Sequence, residues 1–180
     1  MLQLLPLYPA FQQAASGLYE TSFPEVERRP TEQWTELMTG NQLFHAEAVC
    51  HDGAFCGLLT WWDFDSFIYI EHFAICPDLR SAGLGGRAFG HFMELHADKP
   101  IVLEVEPPTE ETARRRIGFY QRHGMDLIPG NYRQPSYRPG GESIPLCLMC
   151  SRPDFARQQF DSLTAVIHRE VYGVEQENHI

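Results

Sequence analysis

The sequence predicts an α/β (α+β) fold, a mixed but mostly antiparallel sheet flanked by helices, and three observations carry that expectation. From Leu43 the apolar period becomes two: "LFHAEAVC", "AFCGLLTWWDF" and "DSFIYIEHFAI" follow one another with tight joins, as an antiparallel meander does. Residues 83–97 then place Leu84, Ala88, Phe92 and Leu95 at helical spacing. The chain has 180 residues, 43% hydrophobic and 12% aromatic, enough for one buried core and too short for two ordinary domains, so 1–180 is read as a single domain.

Taken in order, "LQLLPLY" reads as a short strand, and "AFQQAASGLYETSF" and "RPTEQWTELMT" read as helices, the second with Thr31 as its cap behind Pro30. The meander follows, turning at "HDG". After the helix over 83–97, "PIVLEVE" is a buried strand. "TEETARRRIGFYQRHG" is a second helix, entered from Pro107 and Pro108, capped by Thr109 and stopped by Gly124. "MDLI" and "SIPLCLMC" are late strands, separated by the loop "PGNYRQPSYRPGGE" over 129–142, longer than most connections in compact domains. A last helix over about 153–173 carries the stripe Phe160, Leu163, Ile167 and Val171, and the final "VEQENHI" reads as frayed.

The formal net charge of -10 opposes both a polyphosphate backbone and an anionic membrane surface, so neither nucleic acid nor membrane is expected as a partner. No run approaches a membrane span and "MLQLLPLYPAF" lacks a signal peptide's basic flank, which predicts a soluble, cytoplasmic protein. Five cysteines form an odd set, expected to be reduced. Cys147 and Cys150 have a metal-like gap, but three residues along a strand put them on opposite faces, and the histidines offer no HExxH, so no metal is expected.

The stretch "FAICPDLRSAGLGGRAFG" holds the chemistry. A strand, a turn, clustered glycines and a helix together describe an anion site, because the helix start presents unpaired N–H groups and a partial positive charge. "GLGGRA" also satisfies the dinucleotide pattern GxGxxA, with Glu104 about twenty residues on. Context opposes that match: residues 76–82 separate the glycines from the strand, and a meander precedes them. A P-loop is excluded because no Lys followed by Ser or Thr comes after the glycines.

What fits is Arg80-Ser81-Ala82-Gly83-Leu84-Gly85, an R/Q-x-x-G-x-G/A signature between an apolar strand and a long helix. With "GFYQRHGM", it resembles the GNAT acetyltransferase superfamily over residues 43–150. The resemblance implies a sheet with a splayed central strand pair, acetyl-CoA as cosubstrate and N-acetyl transfer to a primary amine of a small molecule or amino acid. It implies pyrophosphate binding by the amides of Ser81, Ala82, Gly83, Leu84, Gly85 and Gly86 beside Arg80. The backbone of Phe73, Ala74 and Ile75 would pair with the pantetheine arm, and Tyr120 would protonate the departing thiolate. A phenol's resting pKa, near 10, suits that donation. Ala113 stands where family members often carry Asn.

Direct transfer needs a base for the amine, and Glu71, charged within an apolar strand, leads the candidates; His72 would face the opposite way, and Glu104 shares a face with Glu106 on the next strand. For the acceptor, Glu104, Tyr132, Arg133, Tyr137 and Arg138 are the candidate contacts, the last four as a lid over a small molecule. Acceptor charge is left open, as is a homodimer. The competing class is a non-catalytic GNAT-like module that binds CoA or a metabolite as a sensor.

Overall fold

A computed structural model describes residues 1–174 of the chain, which fall into two units that divide after Ile101. The first contains β1 (Leu2–Pro6), β2 (Phe44–His51), β3 (Ala54–Asp63) and β4 (Ile68–Ile75), hydrogen-bonded in that order and antiparallel throughout. The β2–β3 turn takes Asp52 and Gly53 to φ of 50° and 82°. Two consecutive positive values are what a tight hairpin needs to match strand twist, and Asp-Gly tolerates them.

Adjacent residues of a strand point to opposite faces, and Trp61 and Trp62 show what each face buries. Trp61 meets Phe92 of α3 (Leu84–Leu95) with ring centroids 5.5 Å apart. Trp62 faces Arg29, just ahead of α2 (Thr31–Gly40), and both α1 (Gln12–Ser22) and α2 supply the aromatic layer on that side, where Tyr19 and Trp34 stack at 4.4 Å. Leu95 departs from the expected stripe: it is 58% exposed, and His96, 4.6 Å from the Trp61 ring, covers that place instead. Thr31 is the first helical residue rather than the cap, because Pro30 in extended conformation already turns the chain into the helix.

The second unit carries β5 (Ile101–Val105), α4 (Glu111–Arg122), β6 (Asp126–Gln134), β7 (Ile144–Cys150), α5 (Pro153–Gln158) and α6 (Phe160–Tyr172), with β7 between β5 and β6, antiparallel to both. Glu110, not Thr109, precedes α4, since Thr109 turns back onto the Pro107 carbonyl. Gly124, at φ 80°, ends that helical segment as expected.

Two expectations need correction here. The loop read over 129–142 is half strand: β6 runs on to Gln134 through a bulge, because Ile128 pairs with Leu148 and Tyr132 with Leu146, leaving residues 129–131 opposite Cys147 alone. The single last helix is two, breaking at Gln159 so that Phe160 turns onto the bulge. Residues 175–180, and with them most of the segment read as frayed, lie outside the described residues. Among the described residues no helix is long and apolar enough to cross a membrane.

Candidate active site

Gly83 adopts φ 70°, ψ 6°, a left-handed conformation that glycine takes without penalty, and this joins the 3-10 turn Pro77–Ala82 to α3. No side chain caps the helix start. Ser81, Ala82 and Gly83 are exposed, and the first-turn amides of Leu84, Gly85 and Gly86 have no intrahelical acceptor. The turn is anchored beneath: Leu84, Ile75, Val49, Cys56 and Ala88 form one cluster with Phe73 and Leu79 packed on it. Arg80 donates through Nε to the Ile75 carbonyl at 3.1 Å, tying the turn to the end of β4. One backbone acceptor expected for a pantetheine arm is therefore already bonded to Arg80.

Glu71 sits at an irregularity. Thr60 pairs with His72 and Trp61 with Ile70, so Glu71 is the extra residue of a β-bulge, and strand alternation fails there. His72 accordingly does not face away: its Nδ1 lies 3.9 Å from Glu71 Oε1. Glu71 Oε1 accepts from Arg29 Nε at 2.8 Å and Oε2 from Trp62 Nε1 at 2.7 Å, with the Glu71 side chain only 1% exposed. His72 Nε2 is 2.8 Å from the Glu27 carbonyl, its ring is edge-on to Tyr19 and Phe23, and burial lowers its pKa.

The second unit gathers a different carboxylate. Glu104, half-buried on β5, accepts hydrogen bonds from the phenols of Tyr132 and Tyr172, the latter at 2.8 Å to Oε2. Burial, then the nearby Glu104 charge, raise the Tyr132 pKa, so this phenol keeps its proton. Tyr172 hydroxyl also lies 3.5 Å from that of Tyr137. Tyr132 and Tyr137 are 2% and 8% exposed, which corrects the picture of a lid: both rings are core. Arg133 binds Ser143 through its side-chain oxygen and carbonyl, fastening β6 to the chain entering β7. Arg138 follows a tight turn in which its own N–H bonds Ser136 Oγ and its carbonyl accepts from Gly141.

Tyr120, on the buried face of α4, has its pKa pushed up to about 12 by burial, opposed by Arg116. Ala113 is buried on the same helix, and Arg114, Arg115 and Arg116 pair with Glu111, Glu111 and Glu106. No group of three His, Cys, Asp or Glu side chains suited to a metal ion occurs among the described residues. Sequence reasoning missed Arg29 and Tyr172. Consecutive arginines before Pro30 were a signal for the first, whereas a tyrosine at a helix end gave none for the second.

Residues 7–125 match the model of the acetyltransferase (GNAT) family. A solved structure from Bacteroides thetaiotaomicron, described as an acetyltransferase of the GNAT family, superposes with a TM-score of 0.90 at 38% identity, over 97% of this chain and 99% of that one. A Bacillus subtilis (strain 168) protein named as an acetyltransferase, YjbC, is 39% identical over 88 residues, 48% of this chain but only 42% of its own length. An aminoglycoside 6'-N-acetyltransferase solved with coenzyme A shares the fold at 15% identity, with a TM-score of 0.58 over 83% of this chain and 95% of that one.

Proposed function

Since the chain belongs to the GNAT acetyltransferase family, we propose that it transfers the acetyl group of acetyl-CoA to a primary amine of a small molecule or amino acid, by direct attack. The observation that carries this reading is the open first turn of α3, where Gly83 in its left-handed conformation and the uncapped amides after it leave room and donors for a pyrophosphate. The residues fit: a Cβ at Gly83 meets no atom within 4 Å, so the approach is open, and Arg80 is held beside it. Ser81 to Gly86 would hold the phosphates. Acetyl-CoA, when bound, supplies an acyl group activated as a thioester.

The chain's own part is proton handling and orientation. An amine must lose its proton before it can attack, and the surroundings favour Glu104 over the other two candidates for that task. Glu71 has both oxygens committed and almost no exposed surface; His72 is 3% exposed and bound to the Glu27 carbonyl. Glu104 is half-buried and bonded to neutral phenols. Tyr120, protonated at every physiological pH, is the group able to give a proton to the departing sulfur.

The test pairs a titration with acetyl-CoA, CoA and NAD with a thiol-release screen over a polyamine, an aminoglycoside, free amino acids and a peptide with a free amino terminus. Saturable acetyl-CoA binding with thiol release that depends on one amine is the expected result. Binding of CoA without turnover on any amine would instead make the chain a sensor, and NAD binding alone would overturn the reading.

A further inference from the structure

The Glu104 carboxylate is held from two separate segments, and both lie beyond the residues that match the family. Tyr132 reaches it from β6. Tyr172 reaches it from the last residue of α6, forty-odd positions past residue 125. We propose that Tyr172, with Tyr132, is a positioning residue for Glu104, which makes helix α6 a working part of the acetyl-transfer site. The inference rests on the reading of Glu104 as proton acceptor.

The local structure is built to fix this contact. Glu104, Leu148 and Ile128 are register partners across β5, β7 and β6, and Leu146 and Tyr132 lie two residues along from Leu148 on the same sheet face. Tyr132 therefore stands diagonally across β7 from Glu104, and it does so only because the bulge at 129–131 absorbs the extra residues. Helix α6 is pinned over this face at its start by Phe160 and at its end by Tyr172. At its start Phe160 packs so closely on the bulge that a Cβ at Gly130 would come within 2.4 Å of its ring. At its end Gly173 takes φ 68°, and the N–H groups of Gly173 and Val174 bond the carbonyls of Arg169 and His168. That double bond pattern closes the helix sharply just after Tyr172 and sets its direction. Between the pins His168 packs on the Tyr132 ring at 5.5 Å, with burial lowering its pKa, so a neutral imidazole braces the second phenol.

Two phenol donors on one carboxylate do two things. They fix its rotation, so that a lone pair keeps one direction, and they favour the ionised form that accepts a proton. The Tyr137 hydroxyl lies 3.5 Å from that of Tyr172, and Arg133 is turned to Ser143.

The experiment compares wild type, Tyr172→Phe, Glu104→Gln and the double variant in the full chain. Glu104 is titrated by 13C NMR of labelled carboxyl groups, and turnover is measured with acetyl-CoA and the amine giving fastest thiol release. Tyr172→Phe keeps the ring and its packing, so it should fold, bind acetyl-CoA unchanged, raise the Glu104 midpoint by about one pH unit and lower kcat about tenfold. In the Glu104→Gln background the same change should cost nothing further. An unmoved midpoint, or a loss that adds fully to that of Glu104→Gln, overturns the positioning role. Glu104→Gln at wild-type turnover overturns the assignment of the base beneath it. As a second route, Gly130→Ala, which displaces Phe160 and thus the far end of α6, should move the Glu104 midpoint in the same direction as Tyr172→Phe; an unmoved midpoint in a folded Gly130→Ala protein counts against pinning by α6.

Discussion

Replacing Arg29 by methionine should unfold the protein well below its normal temperature, although Arg29 touches no expected substrate. The Arg29 and Glu71 side chains are 9% and 1% exposed and meet at 2.8 Å, and the guanidinium lies 5.6 Å above the Trp62 ring. Arg29→Met leaves the Glu71 carboxylate buried, with its Trp62 bond but without the Arg29 guanidinium. Removing one partner of a buried pair costs about 3–5 kcal/mol. For a chain of this length, each kcal/mol moves the midpoint by about 2–4 °C, so the expected drop is roughly 6–20 °C. Replacing both residues by methionine removes the orphaned charge as well and should restore most of the loss. Thermal and urea unfolding by circular dichroism at pH 7 of wild type, Arg29→Met, Glu71→Met and the double variant would give the coupling energy as a double-mutant cycle. If Arg29→Met melted within about 2 °C of wild type, or the double variant lost the sum of the singles, the pair would not be the buried, coupled unit described here.

Three further outcomes are expected. Gly83→Ala should weaken acetyl-CoA binding, since alanine resists φ 70° at a cost of about 1 kcal/mol and the turn that presents the amides must shift; isothermal titration of the folded variant checks it. Tyr120→Phe should leave acetyl-CoA affinity intact and lower turnover about 10²–10⁴-fold, and a loss under threefold in a chemistry-limited assay would remove the phenol from the proton path. Burial holds the pKa values of His45, His72, His96 and His168 below the usual 6.5, so the unfolded chain binds more protons and stability should fall as pH drops through about 6.5 toward 5. His72→Phe should flatten that slope in melts taken across the same range, and an unchanged slope would show that His72 is protonated in the fold.

The strand periods, the glycine turn and both central helices were legible because each is a local pattern: alternation, φ-permissive glycines, a four-residue apolar spacing. The errors arose where a non-local contact reset a local rule. Alternation placed Glu71 and His72 on opposite faces, but the bulge opposite Thr60 and Trp61 rotates one of them, and a bulge leaves no mark on hydrophobic periodicity. The composition of residues 129–142, rich in Pro and Gly, read as loop, yet Gly130 is there to admit Phe160 and the strand continues past it. Tyr132 and Tyr137 looked like loop aromatics for the same reason and are core. Glu104 was visible as a carboxylate in a strand, while its partner Tyr172 required knowing where the last helix ends.

Glu71 and Glu104 show why burial and charge alone do not identify a base. Both are strand carboxylates that accept side-chain hydrogen bonds. Glu71 accepts from a guanidinium and an indole, and neither can accept a hydrogen bond in return. Protonating Glu71 would therefore give a carboxylic acid whose new O–H has no acceptor among those two, and would strand the Arg29 charge in a buried site. The donors of Glu104 are phenols, each able to donate or accept. When Glu104 takes a proton, a phenol can turn and receive it as a hydrogen bond, so the network accommodates both protonation states without leaving a charge behind. On the proposed function, that difference would give Glu71 the task of holding the bulge and Glu104 the task of taking and releasing the proton.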